Sequence, residues 1–438
     1  MSDFSRGLRF IRLIASLYVA IAVLYTTTHI LSPLRTLARS YMASYDATAI
    51  QVHPNAEVAG KTSQEMLLWP TLSLSPEHTT GTTDGIPMSE DLFLSKAFSQ
   101  SMHPLQVVPY YYRASGTFEQ DDITITTLVT FNRFKVFSEL VKHYQGPISA
   151  TVHVKPSATH ALLDALHDLY VSTPAMSTYV DIHLVLTPFD RQLNAWRNAA
   201  RLFARTEFVM MLDVDFAICT NFRSAVRASR DAKIGRMLKE GDAALVVPAF
   251  EYVKQQDGLH QKYFPRDKKT LLSLVKAKKI DMFHRSWVPG HNSTDYPRFY
   301  AAAPGEVYKV TQYHPAYEPY VIFRKEGPPW CDERFVGYGG NKAACLYEMF
   351  LSGMSFYVLA DHFLVHQSHP YEEEARKLER KSNRKLYQDF KEEVCLRYLK
   401  RHYDSGTLNT SHGYNVQEEC KKIRGVSKIA ALMMEGRL

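Results

Sequence analysis

From Asp121 onward the chain alternates short β-branched runs with amphipathic runs, and this alternation limits the fold more than any other feature of the sequence. An apolar run of five to nine residues predicts a strand, whereas apolar residues spaced three and four positions apart predict a helix. The predicted strands are 123–131, 148–155, 180–187 and 208–212, and the predicted helices are 131–146, 158–170 and 193–204. Because alternating strands and helices form a parallel sheet covered by helices, we expect an α/β fold.

Two aspartates follow the last of these strands. Side chains alternate in extended backbone, so Asp213 and Asp215 point the same way while Val214 points toward the core. Ligands of such sheets bind beyond the carboxyl ends of the strands, and carboxylates suit Mg²⁺ or Mn²⁺ shared with substrate phosphates. The pattern therefore predicts a metal site for a nucleotide diphosphate. A solvated turn with two aspartates has the same spacing and is the alternative.

The amino-terminal part of the chain has a different organisation. The segment 13–31 has no acidic or basic residue, and as a helix it approaches the roughly 30 Å hydrocarbon core of a bilayer. We predict a cytoplasmic tail (1–12), a transmembrane signal anchor (13–31), a stem rich in Ser, Thr, Pro and His (32–120), a catalytic domain (121–400) and a C-terminal extension (401–438). A cleaved signal peptide is the alternative to the anchor.

This organisation is typical of single-pass type II Golgi enzymes with a lumenal catalytic domain, although a surface receptor would share it. Sequons for N-glycosylation begin at Asn292 and Asn409, and they are meaningful only on the lumenal side. We expect Asn409 to be the better sequon, because a glycan on Asn292 would crowd a block assigned below to the acceptor.

Composition excludes several classes of protein. A chain with 45% hydrophobic and 22% charged residues is globular rather than disordered or collagen-like. A net charge of +7 over 438 residues is too dilute for a nucleic-acid-binding protein. The five cysteines contain no C-x-x-C pair, so a zinc knuckle is not supported, and their odd number leaves at least one thiol unpaired within the chain.

Several longer blocks occur in order between residues 123 and 369. They are ITTLVTFNRF with HYQGPISATVHV, NAWRNAAR, MLDVDF, VVPAFE, WVPGHNSTDYPRFY, YEPYVIFR, DERFVGYGGNK and GMSFYVLADHFLVHQSH. In this order they resemble glycosyltransferase family 49, the family of the LARGE-type and β-1,4-glucuronyltransferase catalytic domains. The resemblance implies a GT-A type nucleotide-sugar-binding fold. It also implies an inverting transfer of a sugar from a UDP-sugar to a hydroxyl of a glycan or glycoprotein acceptor. Glucuronate is the first sugar that the family suggests.

The same resemblance assigns the metal ligands. It implies that Asp213 and Asp215 hold Mn²⁺, or Mg²⁺, against the diphosphate, and that His366 of FLVH completes the ligand set. Neutral imidazole is an acceptable ligand for such an ion. His369, three residues further on, is a substitute for His366.

The reaction also needs a base that takes the proton of the acceptor hydroxyl. Asp332 and Glu333 of CDERF are the candidates, and the choice between them is open. One of them is expected to face the acceptor while the other pairs with Arg334. The alternative is a helix start at which both carboxylates only complement the helix dipole.

Further contacts are predicted on both sides of the metal. Those to the nucleotide-sugar are Asn194, Arg197, Asn198, Arg201 and Val214. Those to the acceptor are Glu251, Trp287, His291, Asp295, Gly339 and Asn341. The alternatives are an internally bonded helix for the first set and ordinary core packing for Trp287. The charged helix predicted after residue 370 packs on the domain or pairs with another chain.

Two functions besides the transferase are compatible with the sequence. One is a catalytically silent lumenal glycan-binding or chaperone module of the same fold, and the other is a metal-dependent hydrolase. A silent module has no chemical reason to keep a metal pair, a base and a histidine together. A hydrolase would leave the acceptor-side blocks unexplained.

Overall fold

The computed structural model describes residues 106–155, 159–187, 190–229, 232–370 and 373–434, which form two β-sheets with covering helices. The strands are β1 (Gln106–Tyr112), β2 (Ile123–Val129), β3 (Ile148–Val154), β4 (Val180–Leu186), β5 (Phe208–Met211), β6 (Phe216–Ile218), β7 (Ala243–Val247), β8 (Ala249–Tyr252), β9 (Ile280–Met282), β10 (Val307–Lys309), β11 (Tyr320–Arg324), β12 (Ser355–Leu359) and β13 (Leu364–His366). The predicted tail, anchor and most of the stem lie outside the described residues. In the part that is described, no helix has the length and apolar character needed to span a bilayer.

The helices connect and cover these strands. They are α1 (Phe134–Tyr144), α2 (Thr159–Ser172), α3 (Pro174–Tyr179), α4 (Leu193–Leu202), α5 (Phe222–Ala228), α6 (Lys233–Glu240), α7 (Lys268–Lys276), α8 (Tyr296–Ala301), α9 (Asn341–Leu351), α10 (Glu373–Asp404), α11 (Tyr414–Cys420) and α12 (Ser427–Met434). Helix α1 buries Phe137, Leu140 and Val141, the stripe that the helical spacing predicts.

The larger sheet has the strand order β1-β4-β3-β2-β5-β11-β7-β12-β10. Strands β4, β3, β2 and β5 are parallel, which confirms the prediction for the half of the domain before the acidic pair. Every residue of β3 is buried, as expected of a central parallel strand covered on both faces. Strand β11 runs antiparallel between β5 and β7, so the complete sheet is mixed.

Strand β1 lies within the segment predicted as stem. It pairs antiparallel with β4 at the edge of the sheet, and its register shifts between Val108 and Tyr112. Pro109 interrupts the run QVVPYYY, and a residue without an N–H is tolerated at a sheet edge. This interruption explains why periodicity does not predict the strand.

The smaller sheet has the order β6-β13-β8-β9 and begins directly after the acidic pair. Strand β13 pairs with β6 on one side and with β8 on the other, and this register places His366 opposite Phe216 and opposite Glu251. Strand β6, which follows Asp215, therefore lies beside β13, which ends at the predicted ligand His366.

The carboxy-terminal helices form a further layer. Buried Phe335 and Tyr347 pack with Phe390 and Tyr398 of α10, so this helix packs on the domain as predicted. The disulfide Cys395–Cys420 lies within this layer, and a second disulfide, Cys331–Cys345, ties α9 to the segment before it. Cys219 is a buried free thiol, consistent with the odd cysteine count.

Candidate active site

Asp213 lies immediately after β5 and accepts hydrogen bonds from three side chains. Its Oδ1 accepts from Arg197 Nη2 at 3.2 Å, and its Oδ2 accepts from Lys342 Nζ at 3.1 Å and from Tyr320 Oη at 2.9 Å. Lys342 is only 6% exposed, and its ammonium lies 3.7 Å from the centroid of the Tyr320 ring. Burial alone would raise the pKa of Asp213, but Lys342 and Arg197 outweigh it and hold that pKa well below its usual range.

Asp215 faces a separate set of basic groups. Its Oδ1 lies 2.8 Å from Arg133 Nε, and its Oδ2 lies 3.4 Å from His369 Nε2. The backbone N–H of Gln367 donates to the Asp215 carbonyl at 2.8 Å, which fixes the turn against the end of β13. Donor atoms of Asp215, His366 and His369 all lie within 4.8 Å of one another.

These three donors fit a divalent transition-metal ion. Burial lowers the pKa of His366 to about 3, so its imidazole is neutral at physiological pH and keeps a lone pair for a metal. One carboxylate oxygen and two imidazole nitrogens form a mixed set that suits Mn²⁺ better than Mg²⁺. The structure thus groups Asp215 and His366 with His369, while Asp213 faces Lys342 and Arg197. The role of Asp213 as a metal ligand stays a prediction.

The predicted direction of Val214 agrees with the structure, because this side chain is buried in the main core. Its predicted contact with the nucleotide-sugar stays a prediction.

Replacement of Lys342 by methionine is expected to remove about 1 kcal/mol of stability at pH 7, since Asp213 is still 32% exposed and solvent weakens the pair. A carboxyl whose pKa is lower in the folded chain stabilises the fold above its unfolded pKa of about 3.9, and this stabilisation is lost as the pH falls further. The difference between wild type and Lys342→Met is therefore expected to shrink between pH 4 and pH 2. Urea unfolding over pH 2–7 measures this difference in the free energy of unfolding, and the exposed Lys239→Met is the control. A difference between wild type and Lys342→Met that does not change with pH would contradict the expectation.

Helix α4 presents the predicted polar face to the segment 325–341, about 130 residues away in sequence. Asn194 Nδ2 donates to the carbonyls of Asp332 (2.8 Å) and Asn341 (3.0 Å). Arg197 Nη1 donates to the side-chain oxygens of Asn194 (3.0 Å) and Asn341 (2.7 Å) and so joins this network to Asp213.

The second half of this face holds the base candidates and a proline-rich turn. Asn198 Nδ2 donates to the Cys331 carbonyl at 2.8 Å and to Glu333 Oε1 at 2.9 Å. Arg201 is buried, donates to the carbonyls of residues 325, 328 and 329, and lies 4.2 Å from the centroid of the Trp330 ring. The face is thus bonded internally, which was the alternative interpretation. Its contact with a nucleotide-sugar stays a prediction.

The two base candidates have different partners. Both oxygens of Asp332 accept from Arg334 Nε, at 3.1 and 2.9 Å, and Oδ2 also accepts from Arg334 Nη2 at 2.5 Å. Glu333 is buried and accepts from Asn198. The pairing of one carboxylate with Arg334 agrees with expectation and identifies it as Asp332. Neither residue starts a helix, because α9 begins only at Asn341, so the helix-dipole alternative is wrong.

The predicted acceptor residues are spread over three environments. Burial raises the pKa of Glu251, which lies next to His366 across the β8–β13 pair. His291 is buried against Phe283, and burial holds its pKa well below the usual range. Trp287 is 58% exposed, so ordinary core packing does not explain it.

Asp295 and the glycine-rich segment have evident structural roles. Asp295 caps α8 by accepting from the Arg298 N–H at 3.2 Å. Gly339 has φ +98°, and a Cβ there would lie 3.0 Å from Arg380 Cα, so this turn serves close packing on α10. Asn341 is buried in the network with Arg197 and donates to the Gly337 carbonyl at 3.0 Å. Acceptor contacts by these residues stay predictions.

Both sequon asparagines, Asn292 and Asn409, are exposed. Asn409 lies in the loop before α11, where its Oδ1 accepts from Gln417 at 3.2 Å. Because both side chains are exposed, either could be N-glycosylated, and the glycosylation itself stays a prediction.

Sequence reasoning missed three residues of the site, namely Arg133, Tyr320 and Lys342. Each lies inside a block that the sequence singles out: FNRF, YEPYVIFR and GGNK. A lysine directly after a glycine-rich turn is usually a solvated helix start, so no signal distinguished Lys342. Two close carboxylates at a strand end need nearby cations to stay ionised. The basic residues within these blocks could therefore have been considered as partners of Asp213 and Asp215.

Comparisons with known proteins identify the family to which the chain is similar. A family model described as a glycosyl-transferase for dystroglycan matches residues 122–192 and 188–399. The Rattus norvegicus xylosyl- and glucuronyltransferase LARGE2 is 33% identical over 57% of this chain and 34% of its own length. The Homo sapiens xylosyl- and glucuronyltransferase LARGE1 is 26% identical over 69% of this chain and 37% of its own length. The chain thus spans about a third of the length of the curated relatives it matches.

Among solved structures, S. aureus TarS 1–349 aligns with 72% of this chain and 87% of its own, with 11% identity and a TM-score of 0.37. A likeness of this degree supports no argument about the chain.

Proposed function

Because this chain belongs to glycosyltransferase family 49, we propose that it is a metal-dependent inverting glycosyltransferase that moves a sugar from a UDP-sugar to a hydroxyl of a glycan. The observation that carries the proposal is the cluster of Asp215, His366 and His369 at the strand ends, beside three cationic side chains. Family membership also supports a GT-A type arrangement of the mixed α/β domain.

Asp215, His366 and His369 would hold the divalent ion, with Asp213 as a further carboxylate nearby. Bound there, the ion would neutralise charge that develops on the diphosphate leaving group. Arg133, Arg197 and Lys342 already lie within 3.2 Å of the two carboxylates, so their positive charge is in place for an anionic donor. Fixed charges of this kind stabilise a transition state without reorganisation.

We propose Glu333 as the base and Asp332 as the residue that orients the segment. Both oxygens of Asp332 are engaged by the guanidinium of Arg334, so this side chain is fixed within its own segment. Glu333 accepts a hydrogen bond on Oε1 from the amide of Asn198, which orients this carboxylate. The proton of the acceptor hydroxyl would move to Glu333 as the oxygen attacks the anomeric carbon.

The donor we propose first is UDP-glucuronate, with UDP-xylose second, since the relatives are named for both transfers. The acceptor class we propose is a glycan of a glycoprotein, in line with the description of the family. Two disulfides support a lumenal domain, because such bonds persist in oxidising compartments. Together with the predicted anchor they support a type II Golgi membrane protein.

Incubation of the protein with UDP-sugars and Mn²⁺ is expected to release UDP from one donor of a panel that includes UDP-glucuronate and UDP-xylose. EDTA is expected to abolish the release, and an excess of Mn²⁺ is expected to restore it, because the proposed site needs the ion. Coupled UDP detection measures the rate, and heat-treated protein is the control. A folded protein without metal-dependent UDP release or UDP binding would support a silent module instead.

A further inference from the structure

Nearly all of the net charge of the chain lies in one short segment. Residues 262–285 contain eight basic and two acidic side chains, a net charge of six, whereas the entire chain has +7. The segment comprises α7, β9 and the turns on either side. Such a concentration attracts an anionic ligand more strongly than the rest of the surface does.

Among the described residues, the two acidic side chains of this segment form no ion pair within 4.0 Å with its lysines. Asp267 caps α7, because its Oδ1 accepts from the Thr270 N–H at 2.8 Å. Asp281 forms an ion pair with Arg285. Within the described part of the chain, no carboxylate lies within 4.0 Å of Lys269 Nζ or Lys276 Nζ.

Both lysines line a cleft of about 490 Å³ between α7 and the segment after α8. Its wall holds the half-buried Tyr300, the hydroxyl of Ser273 and the carboxylate of Asp361. Lys268 fixes one side by donating to the Ala302 carbonyl at 3.0 Å. Asp361 Oδ2 accepts from the Gly305 N–H at 2.5 Å, so the opposite wall is also held in place. No residue of the candidate active site lines this cleft.

We propose that this cleft, defined by Lys269, Ser273, Lys276, Tyr300 and Asp361, is a second saccharide-binding site that takes a glycan carrying uronate carboxylates. Lysine ammonium groups would bind the carboxylates, and the tyrosine ring offers a face for a sugar ring. The serine hydroxyl and Asp361 match the hydroxyls of a sugar. The choice of a uronate over another anion rests on the proposed function, because a glucuronyltransferase handles glycans that carry this sugar.

The shape of the cleft favours a saccharide over a membrane surface. A bilayer presents a flat array of headgroups, which exposed lysines on a convex surface contact best. Here the lysines line a cleft together with an aromatic ring and a carboxylate, and these groups can contact the ring and the hydroxyls of a sugar.

The test uses the full chain and a hyaluronan octasaccharide, in which every second sugar is glucuronate, as the probe. Isothermal titration at fixed ionic strength is expected to show binding that weakens about tenfold in Lys269→Glu/Lys276→Glu. Lys239→Glu/Lys428→Glu, which changes two exposed lysines elsewhere by the same charge, is expected to bind like the wild type. Lys269→Arg/Lys276→Arg is expected to retain binding, and a thermal melt of each variant checks its fold.

Three results would overturn the proposal. The first is that the wild type does not bind the octasaccharide. The second is that the control variant Lys239→Glu/Lys428→Glu loses as much affinity as Lys269→Glu/Lys276→Glu. The third is that the protein binds phosphatidylserine vesicles through Lys269 and Lys276 but does not bind the octasaccharide. UDP release without acceptor is expected to be unchanged in the Lys269→Glu/Lys276→Glu variant. Octasaccharide binding in a protein that releases no UDP from any donor would refute the proposed transferase and leave the saccharide site standing.

Discussion

Replacement of Asp215 by asparagine is expected to lower metal-dependent UDP release at least about 100-fold, the usual loss when a group that stabilises transition-state charge is removed. Asp215 is the carboxylate whose oxygens lie near both His366 and His369. An amide keeps the shape of the side chain but loses the negative charge that a divalent ion needs. The affinity for Mn²⁺, measured by titration in the absence of any sugar nucleotide, is expected to fall in parallel.

Asp213→Asn supplies the informative comparison. Asp213 neutralises Lys342 and Arg197, both nearly buried, so its loss leaves cations without their carboxylate. We expect lower stability and a smaller loss of Mn²⁺ affinity than in Asp215→Asn. Asp404→Asn, at the exposed end of α10, is the control for the substitution itself. Equal Mn²⁺ affinities of wild type and Asp215→Asn would refute the assignment of the ligand.

Glu333→Gln is expected to lower kcat for sugar transfer about 100- to 10,000-fold, the range found when a general base is removed. Glutamine keeps the hydrogen bond with Asn198 but cannot accept the proton of the acceptor hydroxyl. Mn²⁺ and UDP binding are expected to be unchanged, because Glu333 is not part of the metal cluster. Steady-state kinetics at saturating donor separate the two effects.

Asp332→Asn is the matched variant at the neighbouring position. It removes the negative charge that pairs with Arg334, whose Nη2 also lies 2.7 Å from Glu393 Oε2, and it is expected to lower stability more than kcat. A larger kcat loss in Asp332→Asn than in Glu333→Gln would reverse the assignment of the base.

The parallel half of the sheet could be predicted because its signals are local. The runs that became β2, β3, β4 and β5 carry the strand pattern themselves, and the first three are each followed by a helix. Strand β11 could not be placed by this rule. It inserts antiparallel between β5 and β7, and such a position depends on contacts between residues 73 to 116 positions apart in sequence.

In the candidate site, too, local features could be predicted from the sequence and long-range contacts could not. Spacing placed Asn194, Arg197, Asn198 and Arg201 on one face of α4, and in the structure all four donate to one segment. The partner of that face could not be read from spacing, because it comes from residues 325–341. Lys342 escaped prediction for a related reason, since a buried lysine is defined by a carboxylate distant in sequence.

Helix α4 binds the segment 325–341 mainly through main-chain oxygens. Its side chains donate to the carbonyls of residues 325, 328, 329, 331, 332 and 341. Every amino acid supplies such a carbonyl, so this attachment tolerates a change of side chain at most of these positions. Under the proposed function, acceptor preference can then diverge by substitutions in the segment while its path through the protein is kept. Libraries aimed at new acceptors would for this reason vary residues 325–330 and leave the helix intact.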